Sequence, residues 1–155
     1  MNHTAPDVCA RMKNDLRCFK FLSDADTEIL APYFKCRQVT AGEVLWSEGD
    51  EAKFAAFVMS GRIEEKKNTE FEGRQMVIGV YSEGTVIGEF SLIDNLPRAV
   101  TAVCLEDAQL LLLPREHLER LLVEHPELGI RLLKGVLLTL SIRLRKSFER
   151  MVAIF

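Results

Sequence analysis

Val86-Ile87-Gly88-Glu89-Phe90-Ser91-Leu92-Ile93-Asp94-Asn95-Leu96-Pro97-Arg98-Ala99-Val100-Thr101-Ala102 is the stretch whose residues carry the most chemistry. Gly88 opens a short segment able to turn into a helix. With no side chain there, backbone N–H groups approach an anion closely, and a helix start adds partial positive charge. Glu89 supplies a carboxylate that accepts hydrogen bonds from a sugar hydroxyl. Arg98 supplies a planar, permanently charged fork that matches a phosphodiester. Pro97 stiffens the approach to Arg98, and the small Ala99 and Ala102 let backbone and ligand lie close. The competing local reading is a strand–turn–helix–strand in which Glu89 and Arg98 merely pair with each other.

On either side of this stretch the chain punctuates itself into short strands. Cys36–Val39, Gly42–Trp46, Phe54–Met59, Arg62–Lys67 and Gln75–Tyr81 precede it, and Val100–Leu105 and Gln109–Leu113 follow. Arg62–Lys67 begins facing outward. Glycines 42, 49, 61, 73, 84 and 88 fall at the turn points, where a positive φ is cheap only for glycine. Regular short strands between glycine turns predict a mainly β fold, a jelly-roll barrel over 35–113.

Helical patterns flank the strands. Leu16, Phe19, Phe21 and Leu22 give an apolar face, and Ser23-Asp24-Ala25-Asp26 supplies an N-cap for a second short helix ending near Pro32 to Phe34. After Leu113, Pro114 starts a helix through Val123, and Pro126 starts a long one to near the C-terminus. In the long helix Ile130, Leu133, Leu137, Leu140, Leu144, Ser147, Met151 and Ile154 form a heptad seam with a single polar break. Leu132, Val136 and Thr139 form a second stripe that can pack on the barrel. Two stripes call for two packing partners, so a homodimer through this helix is expected, with a helix folded back on its own chain as the alternative.

The bulk numbers fit one domain spanning 1–155. The chain has 155 residues, 48% hydrophobic and 28% charged, with a net charge of −3. That is the composition of a globular protein with no global signal for nucleic acid or membrane. The N-terminus lacks the basic-then-apolar pattern of a secretory signal, and no apolar run is long enough for a bilayer, so a cytoplasmic protein is expected. Cys9, Cys18, Cys36 and Cys104 have neither disulfide-framework nor zinc spacing. No Ser-His-Asp set, acid pair or metal cluster points to an enzyme. The basic residues of the long helix flank its heptad, where solvated Lys and Arg are ordinary, so nucleic-acid contact is not expected.

Gly88-Glu89-Phe90-Ser91-Leu92, a four-residue loop, and Pro97-Arg98-Ala99-Val100-Thr101 resemble the phosphate-binding cassette of the cyclic-nucleotide-binding domain. That family includes the catabolite activator proteins and the regulatory subunits of cyclic-AMP-dependent kinase. Phe19-Lys20-Phe21-Leu22-Ser23 resembles its lead-in, where short helices pack under the roll. The resemblance implies a jelly-roll with short N-terminal helices (1–34) and a long C-terminal helix (within 114–155). It implies cyclic AMP as the ligand, with cyclic GMP as the alternative, and no cofactor required. Glu89 is expected on the ribose 2′-hydroxyl and Arg98 on the exocyclic phosphate oxygens. Backbone N–H groups of Ser91 and Ala99 are implied as further phosphate donors, and backbone groups of Gly88 and Glu89 reach the sugar.

Two departures from the family pattern bear on specificity. Ala99 lacks the hydroxyl that several relatives carry there, which favours cyclic AMP over cyclic GMP. Val100 replaces a usual alanine and tightens the pocket floor. Phe90 and Thr101 complete the cassette residues assigned to the site, although Thr101, in a strand, can equally face its neighbours. Val77, Ile78 and Ile87 are expected to give apolar contacts to the base. Arg143, where the activator branch caps the base, is expected to stack on a purine or bond to its edge; the competing reading is a solvated helix residue.

The expected output is a sensor whose long helix moves on binding and signals to a dimer mate or to another protein. Two alternatives stand beside it: an interaction module that keeps the fold without the nucleotide, and the sensor part of a transcription regulator whose DNA-binding module is not in this chain.

Overall fold

The computed structural model describes residue 11 and residues 16–154; the N-terminal segment around Pro6 and Cys9 lies outside the described residues. Eight antiparallel strands form two four-stranded sheets. The first sheet has the order β1 (Lys35–Val39), β8 (Ala108–Pro114), β3 (Phe54–Ser60), β6 (Val86–Ile87). The second has the order β2 (Val44–Trp46), β7 (Thr101–Cys104), β4 (Ile63–Asn68), β5 (Gln75–Tyr81). Neighbours in each sheet are mostly distant in sequence, as in a jelly-roll. The mainly β architecture with a long C-terminal helix is therefore as the sequence predicts.

β3 shows why the sequence folds this way. Phe54-Ala55-Ala56-Phe57-Val58-Met59 is an unbroken apolar run, and an apolar run without alternation is the mark of a strand buried on both faces. Ala56 and Val58 enter the sandwich interior with Val39, Trp46, Ile63, Ala102 and Leu110. Ala55, Phe57 and Met59 point the other way, into a second core built with the helices. There Phe57 stacks on Phe19 at 5.6 Å and meets Phe34 edge-on at 5.3 Å. Truncating a ring so enclosed costs about 3–5 kcal/mol.

Short helical elements close that second core. A 3₁₀ turn, Arg17–Phe19, precedes α1 (Asp24–Leu30). Ser23 caps α1 as expected: its hydroxyl accepts from Asp26 N at 3.1 Å, and Asp26 accepts from Ser23 N at 2.9 Å. α2 (Arg115–Glu124) and α3 (Pro126–Val152) follow β8, with Pro126 in the first turn of α3. The stripe Leu132, Val136 and Thr139 is buried against the body of the molecule, with Cys18 Sγ and Thr139 Oγ1 sharing a hydrogen bond at 3.2 Å. Gly135 makes this seat possible: a Cβ there would stand 1.5 Å from the Cys18 carbonyl oxygen.

The heptad stripe splits instead of burying. Leu133 and Leu140 pack against the core, whereas Ile130, Leu137, Leu144 and Met151 are exposed. The six turn glycines named above are the glycines with positive φ. At Gly61 the space is also closed, since a Cβ would lie 2.5 Å from Asp107 O. After the exposed Arg62, β4 turns two side chains inward: Ile63 and Glu65 share its inner face, because Ile63 is drawn into the sandwich core and the two-residue period carries Glu65 with it.

Candidate functional site

Gly88 leaves β6 with φ 65°, ψ 21°, and the chain then winds into a 3₁₀ turn, Glu89–Leu92. Ser91 is spent inside this turn. Its N–H donates to Gly88 O at 3.2 Å, and its hydroxyl donates to the same oxygen at 2.7 Å. Arg115 braces the turn from α2 by donating from Nε to Ser91 O at 2.5 Å. The loop then returns over a small cavity of about 170 Å³ between the cassette, β4, β5 and α3.

Four charged side chains meet at this cavity. Glu65, Glu89 and Arg98 are 6%, 7% and 5% exposed, and Arg143 of α3 is part-buried. Arg143 Nη1 donates to Val86 O at 2.8 Å and lies 3.3 Å from Glu89 Oε1, while Nη2 lies 3.9 Å from Glu65 Oε2. Its guanidinium also covers the Tyr81 ring at 4.2 Å. Arg143 thus serves two buried carboxylates at once.

Arg98 is held differently. Its guanidinium lies 3.9 Å from the Trp46 ring centroid and 4.8 Å from that of Phe54. Nη2 donates to Phe54 O at 2.8 Å, and Nη1 reaches Gly88 O only at 3.4 Å. Nε is buried with no partner, and among the described residues no carboxylate stands at ion-pair distance from the guanidinium. The pairing of Glu89 with Arg98 that the bare sequence allowed is therefore not the arrangement found.

The electrostatics follow the burial. Desolvation pushes the Glu65 carboxyl up to about 7, with the nearby Glu89 charge adding to it and Arg143 opposing it. Desolvation likewise raises Glu89 above the usual carboxylate range, against the pull of Arg143. Burial lowers Arg98 to about 10, leaving it charged at neutral pH. For Arg143 burial works against the charge, but Glu89, Tyr81 and Glu65 outweigh it and hold it above its ordinary value.

A profile of the cyclic nucleotide-binding domain matches residues 36–125. The chain belongs to that family. Among solved structures, a cyclic nucleotide-binding domain from Methylobacillus flagellatus KT superposes with TM-score 0.88 at 24% identity, covering 97% of this chain and 86% of its own. The catabolite activator protein of Thermus thermophilus gives 0.74 at 25% identity, covering 89% and 62%. A lysophospholipase of Neosartorya fischeri is 32% identical over 116 residues, which are 74% of this chain and 7% of that enzyme. The chain thus spans a small fraction of the length of the curated relatives it matches.

Within this cyclic nucleotide-binding domain, Gly88, Glu89, Phe90, Ser91, Arg98, Ala99, Val100 and Arg143 line the cavity, as does Ile78. Three assigned residues stand elsewhere. Ile87 is fully enclosed in the sandwich core, because β6 pairs with β3 and turns that side chain inward. Val77 is exposed on β5, one residue out of phase with Ile78. Thr101 Oγ1 accepts from Glu48 N at 2.9 Å, so its hydroxyl anchors a turn. Ser91 N, implied as a phosphate donor, is taken by Gly88 O.

Sequence reasoning missed Trp46, Glu65 and Tyr81, all of which line the cavity. For Glu65 the signal was present in the two-residue period from Ile63. A second cavity of about 200 Å³ lies on the far side of Arg143 and Tyr81, bounded by Ser82–Thr85 and Lys146. A larger open groove of about 840 Å³ runs behind the cassette loop, where Lys35, Lys53 and Glu116 are all exposed. Among the described residues no group of three His, Cys, Asp or Glu gathers as for a metal, and no helix is long and apolar enough to cross a membrane.

Proposed function

We propose that the chain is a cyclic nucleotide sensor that binds cyclic AMP in preference to cyclic GMP. The observation that carries this reading is Arg98: a buried guanidinium at a cavity wall with, among the described residues, no carboxylate at ion-pair distance and an Nε–H without a partner. A buried cation without an anion is costly. The phosphodiester of a cyclic nucleotide supplies the missing charge and accepts in-plane hydrogen bonds from it. Glu89 beside it takes the ribose 2′-hydroxyl, and Ala99 offers no hydroxyl to a guanine amino group. One solved relative is a kinase regulatory subunit described as bound to cyclic AMP.

Binding requires the site to open. Drug-sized ligands occupy cavities of about 300–1,000 Å³, and this one holds about 170 Å³. The movable wall is the Arg143–Tyr81 pair, which separates it from the neighbouring cavity. A ribose hydroxyl on Glu89 competes with its 3.3 Å contact to Arg143, so ligand entry loosens Arg143 and with it the distal half of α3. That gives the differential affinity between two helix positions that a ligand-driven shift requires. The exposed residues Ile130, Leu137, Leu144 and Met151 provide a heptad stripe for a second copy, so we assign the output to a homodimer or partner contact through α3.

Isothermal titration calorimetry with cyclic AMP and cyclic GMP, after removal of any copurified nucleotide, tests the reading. Micromolar or tighter binding of cyclic AMP that Arg98→Ala abolishes supports it. No heat and no thermal shift with either nucleotide overturns it and leaves the interaction module. Sedimentation with and without ligand reads the helix contact separately.

A further inference from the structure

Arg98 raises a problem that the family assignment does not answer: what keeps a buried guanidinium in place before its anion arrives. An ion pair is the usual solution, but a resident carboxylate competes with the ligand for the same N–H groups. Here the face of the guanidinium lies on Trp46 at 3.9 Å, with Phe54 at 4.8 Å and the two rings edge-to-face at 5.8 Å. Ring quadrupoles attract a cation without occupying its hydrogen-bond donors. The Nε–H therefore stays without a partner while the plane is fixed.

The backbone of Arg98 is held by the same segment. Gly49 N donates to Arg98 O at 2.8 Å, and Arg98 N donates to Asp50 O at 2.8 Å. Trp46, the 47–50 turn and Phe54 thus grip both ends of one residue across about fifty positions of sequence. Two local devices allow it. The register of β2 against β7 shifts between Val44 and Trp46, placing Trp46 opposite the small Ala102. At Gly88 an added Cβ would stand 2.5 Å from Arg98 Nη1 and 2.9 Å from the Trp46 ring. The glycine is needed for this stack as well as for its positive φ.

We infer that Trp46, assisted by Phe54, is a positioning residue that holds Arg98 without a carboxylate at ion-pair distance among the described residues and leaves its Nε–H for the incoming anion. This rests on the cyclic nucleotide reading for the identity of the anion. A desolvated cation–π contact corresponds to roughly a tenfold or larger effect. Trp46→Leu should therefore weaken cyclic AMP binding by about tenfold, and Trp46→Phe, which keeps a ring, should restore affinity to within about threefold. If Trp46→Leu does not fold, Phe54→Leu takes its place with a smaller loss in the same direction.

A second measurement needs no ligand. Trp46 is the sole tryptophan, so Arg98→Leu should shift its emission. A urea double-mutant cycle of Trp46→Leu or Phe54→Leu with Arg98→Leu should show coupling of about tenfold in the folding constant. Wild-type affinity in Trp46→Leu and Phe54→Leu, or an additive cycle with unchanged emission, overturns the positioning role. Failure of the wild type to bind either nucleotide overturns the functional reading instead, and the cycle still decides what holds Arg98.

Discussion

Arg98 and Arg143 enter one cavity from opposite walls and are neutralised by opposite means. Arg143 carries two carboxylates and a phenol ring, so its charge is satisfied within the chain. Arg98 rests on indole and benzyl rings and keeps a buried N–H without an acceptor. A closed site can thus hold one guanidinium for the fold and leave another for a ligand. The satisfied guanidinium ties α3 to the roll. On the proposed reading, the ligand addresses the other, and reaches the helix only through Glu89 and Arg143.

Removing the waiting charge breaks the comparison most sharply. Arg98→Ala should lose at least about 3 kcal/mol of cyclic AMP affinity, a hundredfold or more, since two charge-assisted hydrogen bonds go with it. Folding should change less than binding, because removing a buried cation that has no carboxylate at ion-pair distance among the described residues offsets the loss of its ring contacts and its bond to Phe54 O; urea unfolding beside calorimetry separates the two. A variant that binds as the wild type does would show that the anion goes elsewhere.

Arg143→Ala should behave the other way round. It strands Glu65 and Glu89 in the cavity, and losing one partner of a buried pair is costly. Stability at pH 8 should fall by about 2–3 kcal/mol, with a smaller loss at pH 5, where both carboxyls protonate more easily. Cyclic AMP affinity should change less than in Arg98→Ala, because Glu89 is released for the ribose. Urea unfolding at the two pH values reads the first effect, and equal losses at both would show that Arg143 acts by packing alone.

These two arginines also mark what the sequence made legible. The cassette spelled out Gly88, Glu89 and Arg98 by residue type and spacing, and the helix stripe at Leu132, Val136 and Thr139 announced its own burial. Partners across the fold were harder to see. Trp46 lies about fifty positions from Arg98 in sequence, and only the β2–β7 register and the bare Gly88 bring ring and guanidinium together. Ile87 and Val77 were misplaced for a local reason. In a strand, a shift of one residue moves a side chain to the other face, and the paired strand, not the residue type, sets the phase. Arg143 sat at the right level of the helix, but its engagement with Glu65 and Glu89 depended on where β4 and the 3₁₀ turn came to rest.

A further effect concerns Glu65, the carboxylate that stands farther from Arg143. Glu65 is 6% exposed, and Arg143 Nη2 stays 3.9 Å away from it. Burial and the Glu89 charge raise its carboxyl from 4.5 to about 7. A carboxyl raised on folding binds its proton more tightly in the folded state, so folding loses stability as pH climbs from about 4.5 to about 7 and the loss is complete above that window. Glu65→Gln keeps an oxygen to accept from Tyr81 and removes the titration. The variant should match the wild type near pH 3, where Glu65 is protonated in both states, and exceed it by up to about 3 kcal/mol at pH 8. Urea unfolding across that range checks the sign. A Glu65→Gln protein less stable than wild type at pH 8 would mean that Arg143 holds Glu65 as a true ion pair, and the contrast between a satisfied and a waiting arginine would extend to every charge in the cavity.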